Sequence, residues 1–229
     1  MREIVLDTET TGLDPNDGHR VVEVGCLELV NHIPTGQTWH EYFNPERPMP
    51  ASAFNIHGLS DDFLSEKPLF AERAEDFLTF IEDAEIVIHN AAFDTAFLDA
   101  ELERAEFPPL TGARIIDTLS LARRKHPGGP NSLDALCKRY GIDNAARTLH
   151  GALLDCELLA GVYLELIGGR QANLTLVETD ERGGSLQPGQ RKLRPEPLAE
   201  RVSDEERTAH RAAVEALGAD AIWRRYRDE

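Results

Sequence analysis

Apolar residues in this chain recur first as short blocks and then at helical spacing. Residues 2–7 (REIVLD) read as a short apolar strand, and 20–30 (RVVEVGCLELV) and 37–43 (QTWHEYF) as two more. A turn over 31–36, which holds Pro34 and Gly36, joins the last two, so the first part predicts an antiparallel meander. From Phe70 to Ile81 the residues Ala74, Phe77, Leu78 and Ile81 repeat with a helical period, and Glu85-Ile86-Val87-Ile88 follows as a buried-type strand. A helix over 94–106 comes next, with Phe97, Leu98, Leu102 and Ala105 on its inner face. Arg114-Ile115-Ile116-Asp117 reads as a fifth strand, and helices are predicted over 118–125, 131–140 and 150–167. Strand and helix alternate in this second half, which points to parallel pairing. The expected fold is therefore α/β: a five-stranded mixed sheet, three strands antiparallel and two parallel, with helices on both faces.

After Gly168-Gly169 the pattern fades. Residues 177–202 carry Gly183, Gly184, Pro188, Gly189, Pro195 and Pro197 with few apolar side chains, which is linker chemistry. Ser203-Asp204-Glu205-Glu206 has the form of a capping box, so a last helix starts there and ends near Gly218. The expected organisation is one domain over 1–170, a flexible linker over 177–202 and a partly helical tail over 203–229.

Hydrophobic content of 41% suits a globular chain, and no apolar run approaches the roughly 20 residues of a spanning helix. Met1-Arg2-Glu3 does not open a signal peptide, so a cytoplasmic protein without membrane attachment is expected. Cys26, Cys137 and Cys156 are widely spaced and odd in number, which argues for reduced core residues rather than disulfides or a zinc site. The net charge of −17 argues against nucleic acid as a partner, since affinity for phosphates comes from Lys and Arg. Within the acidic chain, however, Arg123, Arg124, Lys125, Lys138, Arg139 and Arg147 form a basic island that ends at His150. It is either a phosphate-meeting surface or a solvated helix face.

Three stretches carry chemistry. Asp7 and Glu9 lie two apart where the first strand should end, so both project to one face, and carboxylates held that close normally need a cation when buried. The plainer reading is a solvated turn. His89-Asn90-Ala91-Ala92-Phe93-Asp94 closes one strand and opens a helix; Asp94 is either an N-cap or a ligand at the carboxyl edge of the sheet. His150-Gly151-Ala152-Leu153-Leu154-Asp155 places a histidine on an entering loop and a carboxylate amid an apolar helical stripe. A lone histidine is commonly structural, but Asp155 in such surroundings needs compensation from elsewhere. Four carboxylates match two divalent ions about 4 Å apart, the arrangement for in-line displacement at phosphorus. A histidine beside them has the chemistry to take a proton from water.

Asp7-x-Glu9, Asp94 and His150-x4-Asp155, in this order, resemble the motifs of the DEDDh 3′–5′ exonucleases, over about residues 2–167. Ile56-His57-Gly58-Leu59, Asn131-Ser132-Leu133-Asp134-Ala135-Leu136 and Thr148-Leu149-His150 are further similar to the proofreading branch that accompanies bacterial replicative polymerases. The resemblance implies a ribonuclease H-like fold and two Mg²⁺ or Mn²⁺ ions held by Asp7, Glu9, Asp94 and Asp155, with Asp7 bridging. It also implies His150 as general base, and Thr10 and His57 at the terminal nucleotide. Ser52 stands where that branch carries an acidic substrate contact, which puts this contact in doubt.

The same resemblance implies that a frayed DNA 3′ end is the substrate and that nucleoside monophosphates are released. It makes the catalytic subunit of DNA polymerase III and a sliding clamp the partners of a monomer working within a hetero-complex. Gln171-Ala172-Asn173-Leu174-Thr175-Leu176 resembles clamp-binding peptides, with Gln171, Leu174 and Leu176 as anchors, so 171–176 is the expected clamp contact. Val214, Leu217, Ile222, Trp223 and Tyr226 suit a tail that docks on the polymerase or folds back on its own domain. The competing expectations are a stand-alone DEDDh ribonuclease of the oligoribonuclease or ribonuclease T type, and a catalytically silent scaffold between clamp and polymerase.

Overall fold

The computed structural model describes residues 1–110, 114–145, 149–168 and 202–218. Those in 1–168 form one compact unit and those in 202–218 belong to a second. The first unit is built on a five-stranded sheet of β1 (Arg2–Thr10), β2 (Val21–Val30), β3 (Ile33–Tyr42), β4 (Glu85–Ile88) and β5 (Ile115–Asp117), in the order β3-β2-β1-β4-β5. The β1–β2 and β2–β3 pairs are antiparallel, and β1–β4 and β4–β5 parallel, as the alternation of elements predicts.

Side-chain alternation divides β1 between two cores. Ile4 and Leu6 face a cluster with Phe77 and Ile81 of α3 (Phe70–Ile81) and Phe97, Leu98 and Leu102 of α4 (Ala91–Arg104). Val5, with Leu27, Leu29 and Val87, packs on the opposite face against Cys156, Leu159 and Tyr163 of a long helix, Ala152–Leu166. Helices α1 (Ala51–His57) and α2 (Asp61–Ser65) precede α3, and α5 (Thr118–Lys125) and α6 (Leu133–Tyr140) precede the long helix, which is α7. All three cysteines are buried and free. Among the described residues, no helix is long and apolar enough to cross a membrane.

Three expectations need correction. β1 runs on through Thr10, so Asp7 and Glu9 lie within the strand rather than at its end, and a register shift between Glu9 and Thr10 closes the pairing. The β2–β3 turn is confined to Asn31 and His32, both at positive φ (51° and 66°), instead of spanning 31–36. Such a two-residue turn matches strand twist, and β3 is an edge strand, where Pro34 does no harm to the ladder. α4 starts at Ala91 and not at residue 94, because Asn90 takes the left-handed conformation (φ 69°) and lets the chain turn directly from β4 into the helix. Asp94 is thus in the first helical turn and is not an N-cap. Two short helices, α1 and α2, occupy a stretch for which periodicity gave no expectation.

In the second unit, α8 (Asp204–Ala216) begins with the anticipated capping box: Ser203 Oγ accepts from Glu206 N at 3.2 Å, and Glu206 Oε2 accepts from Ser203 N at 2.9 Å. Val214 is buried and Leu217 exposed. Residues 171–176, which resemble a clamp-binding peptide, the expected linker up to residue 201, Arg147 of the basic island, and Ile222, Trp223 and Tyr226 lie outside the described residues.

Candidate active site

β1 and β4 are parallel neighbours, so their carboxyl ends share one edge of the sheet, the edge where open α/β sheets bind ligands. Asp7, Glu9, Thr10, Ser52, His57, Asp94, His150 and Asp155 all line a single open cavity there, of about 500 Å³. The structure therefore brings together every residue that the three motifs nominated. Ser52 is exposed at the cavity wall.

The acidic groups arrive from three elements. Asp7 and Glu9 follow Val5 on the α7 face of β1. Asp94 reaches the strand from α4: its Oδ1 accepts from Thr8 N at 3.1 Å and Thr8 Oγ1 at 2.7 Å. Burial pushes its carboxyl up to about 7, against the pull of the Thr8 hydrogen bonds. Asp155 comes from the first turn of α7 and is buried. Negative charge is dense enough here to be felt by a neighbour: burial first, and then Asp7, Asp155 and Asp94 among others, raise the Cys156 thiol well above its ordinary value.

Gly25 makes this convergence sterically feasible. It is the register partner of Asp7, and a β-carbon placed on it would lie 2.5 Å from Ala152 C and Leu153 N and 2.7 Å from Ala152 O. The start of α7 thus rests directly on the β2 backbone, and Cys156 Sγ adds a contact to Gly25 O at 3.2 Å. Nothing local in RVVEVGCLELV marks that glycine, because the helix it admits is far away in sequence.

His150 sits half-exposed on the loop before α7, its Nδ1 3.4 Å from Asp155 Oδ2 and its backbone N donating to Ile56 O at 3.1 Å. Gly58, at φ 73°, caps α1 and leaves room for Leu149, whose Cδ1 would lie 2.7 Å from a β-carbon there. Helix α1 and the His150 loop are therefore tied together. His57 is buried; its Nδ1 accepts from Leu59 N at 3.1 Å, which puts the ring proton on Nε2. Nε2 is buried and makes no hydrogen bond among the described residues, and burial lowers the pKa, favouring the neutral ring.

The donor set suits a hard divalent ion, with oxygen and one imidazole nitrogen. Ligand atoms of Glu9, His150 and Asp155 lie within 4.8 Å of one another. Asp94 is already oriented by Thr8, the residue between the two strand acids, a contact that strand alternation alone does not suggest. Leu13, Ile56, Phe93 and Leu133 give the wall an apolar part, His89, Asn90, Ser132 and Asp134 add polar groups, and among the described residues no Lys or Arg lines it. The basic island is partly engaged elsewhere: Lys125 Nζ donates to Leu166 O at 3.1 Å, and Arg139 Nη2 to Pro130 O at 3.0 Å.

Comparison with known proteins identifies the family. The family model for exonucleases (RNase_T) matches residues 4–163. The DNA polymerase III subunit epsilon of Rickettsia felis is 53% identical over 193 residues, 83% of this chain and 84% of that protein. The subunit of the same name from Escherichia coli (strain K12) is 42% identical over 236 residues, 97% of each. Among solved structures, exonuclease X in complex with 5′ overhanging duplex DNA superposes with a TM-score of 0.57 at 25% identity, over 75% of this chain and 94% of that one. The nuclease domain of 3′hExo, a DEDDh family member bound to rAMP, shares the fold with a TM-score of 0.64 at 16% identity, over 74% and 92%. By the extent of these matches, the chain belongs to the exonuclease family and, within it, to the DNA polymerase III epsilon subunits.

Proposed function

We propose that this chain is the proofreading 3′–5′ exonuclease of a bacterial DNA polymerase III, hydrolysing the 3′-terminal phosphodiester and releasing deoxynucleoside 5′-monophosphates. The observation that carries the reading is the convergence of Asp7, Glu9, Asp94 and Asp155 with His150 in one cavity at the carboxyl edge of the sheet. Exonucleases of this family depend on divalent metal ions. Asp7, Glu9, Asp94 and Asp155 would hold two Mg²⁺ or Mn²⁺ ions. When bound, such ions lower the pKa of an attacking water and stabilise charge on the leaving oxygen.

The remaining steps belong to the chain itself. His150 takes the proton of the attacking water, and Asp155, 3.4 Å from Nδ1, orients the ring. Thr8 fixes the Asp94 carboxylate before substrate arrives. Thr10 and His57 seat the terminal nucleotide, with His57 offering its Nε2–H; Ser52 contributes at most a neutral contact. Leu13, Ile56 and Phe93 give a splayed base an apolar wall.

Partners follow from the same reading. A net charge of −17 and a cavity wall without Lys or Arg among the described residues leave little intrinsic affinity for phosphates. The enzyme therefore acts on ends delivered to it, as a cytoplasmic monomer within the polymerase complex. The tail 203–229 meets the catalytic subunit, the linker 177–202 gives it reach, and Gln171, Leu174 and Leu176 engage the sliding clamp.

The test is release of the last nucleotide from a 3′-mispaired primer against a paired one, with Mg²⁺. The expected result is faster release from the mispaired end. Equal or greater activity on RNA oligomers would replace this reading with a stand-alone exoribonuclease, and silence in both Mg²⁺ and Mn²⁺ would leave a scaffold.

A further inference from the structure

Residues 11–20 leave the end of β1 and return into β2, presenting Gly12 and Leu13 to the cavity beside Thr10. The ends of this loop are stitched together: Thr11 N donates to Arg20 O at 2.9 Å, and Arg20 N donates to Thr11 Oγ1 at 3.0 Å. From the last residue of β1, Thr10 Oγ1 donates to Gly12 O at 2.6 Å, and within the loop the His19 ring lies so close over Gly12 that a β-carbon there would approach it to 2.2 Å.

One side chain anchors the loop to a different element. Arg20 Nε and Nη2 fork onto Glu101 Oε1 and Oε2 of α4 at 2.6 and 2.9 Å, and Val21 N donates to the same carboxylate at 3.3 Å. Arg104 lies 3.2 Å from it as well. The Glu101 side chain is 2% exposed and that of Arg20 18%, so the fork is largely shielded from solvent. Glu101 stands two turns beyond Asp94 on the same face of α4. Neither Arg20 nor Glu101 lines the cavity.

We propose that Arg20 and Glu101 are a positioning pair that holds the loop bringing Gly12 and Leu13 to the substrate cavity in register with the helix supplying Asp94. The inference rests on the exonuclease reading given above. A bidentate guanidinium–carboxylate pair has one geometry, so it sets a distance as well as holding a charge, and a lysine ammonium cannot reproduce the two parallel bonds. When the fork is loosened, the acids keep their places on β1 and α4 while the loop loses its fixed offset from them. Substrate binding then suffers before the chemical step does.

The experiment is steady-state hydrolysis of a 3′-mispaired primer by the full chain with saturating Mg²⁺, comparing wild type, Arg20→Lys and Glu101→Gln, with thermal unfolding of each. The expected result is a KM raised about tenfold with kcat within about threefold, and a double variant little worse than either single one, as a shared interaction requires. Folded variants with unchanged KM would overturn the proposal, and so would a fall in kcat at fixed KM. Should Glu101→Gln fail to fold, Arg20→Lys, which keeps the charge, decides the matter by its KM. An inactive wild type strikes at the exonuclease reading, whereas an active wild type with indifferent variants strikes only at the fork.

Discussion

Replacing Gly25 by alanine tests how the site is assembled. The added β-carbon would lie 2.5 Å from two backbone atoms of α7, Ala152 C and Leu153 N, while unstrained carbon contacts need about 3.5–4.0 Å. Backbone cannot rotate away as a side chain does, so β2 and the first turn of α7 must separate by about 1 Å. Overpacking of this kind costs about 1–3 kcal/mol, or roughly 2–4 °C of melting temperature per kcal/mol in a domain of this size. The functional loss should be larger. Asp155 is in that same turn, its N bonded to Gly151 O at 2.9 Å, so it moves with the helix end and away from Asp7, the residue opposite Gly25. A displacement of about 1 Å in a catalytic group lowers rate about 10²-fold. The assay is single-turnover release from a 3′-mispaired primer at saturating Mg²⁺, well below the melting temperature. Gly36→Ala is the control, since nothing lies within 4 Å of that position and only its φ of 85° opposes a side chain; it should lose some stability and no intrinsic rate. Wild-type rate and melting temperature in Gly25→Ala would refute the close approach, and a rate loss no greater than in Gly36→Ala would refute its link to catalysis.

Asp94→Asn should abolish hydrolysis, yet raise the stability of the metal-free protein by about 1–3 kcal/mol, because a buried carboxylate that burial pushes up to about 7 is replaced by a neutral acceptor for Thr8. Chelator should lower the melting temperature of wild type and leave that of Asp94→Asn unmoved; the same response in both would count against Asp94 as a ligand. At the far end of β1, Tyr163 OH donates to buried Glu3 Oε1 at 2.6 Å, and burial and then Glu3 raise the phenol above its ordinary value of about 10. Stability from this pair is complete below about pH 10 and is lost as pH rises through the higher folded-state value. Tyr163→Phe should therefore cost about 1–3 kcal/mol at pH 7 and flatten the alkaline limb of stability against pH, and parallel curves for the two proteins would exclude the linkage. Gln171→Ala with Leu174→Ala should abolish binding to the sliding clamp in a pull-down while leaving nucleotide release from a free primer intact; retained binding would remove 171–176 as the contact.

What was legible in the sequence divides along a physical line. Phe70–Ile81 and Glu85–Ile88 coincide with the expected elements to the residue, the first because it buries a face whose period is written in its side chains, the second because it is a continuous apolar run buried on both faces. The 31–36 turn was misplaced for the opposite reason: Pro34 and Gly36 usually punctuate, but on an edge strand the ladder tolerates them, and two left-handed residues make the turn. Of the acids, Asp155 stands out alone, as a carboxylate within an apolar helical stripe; Asp7, Glu9 and Asp94 are equally readable as a turn and an N-cap, and only the ordered set of three motifs points to one site. Gly25, Thr8 and the Arg20–Glu101 fork carry no such signal, as glycine, threonine and a surface-type charge are ordinary in their own neighbourhoods. Their roles exist only once β2 meets α7, and α4 meets β1 and the loop that follows it. Local sequence thus nominates the candidate groups, while the contacts that hold those groups within reach of one another come from the tertiary approach. A change at the second kind of residue should alter rate or affinity with all four acidic side chains intact, which is why Gly25 and Arg20 discriminate better than another substitution among the acids themselves.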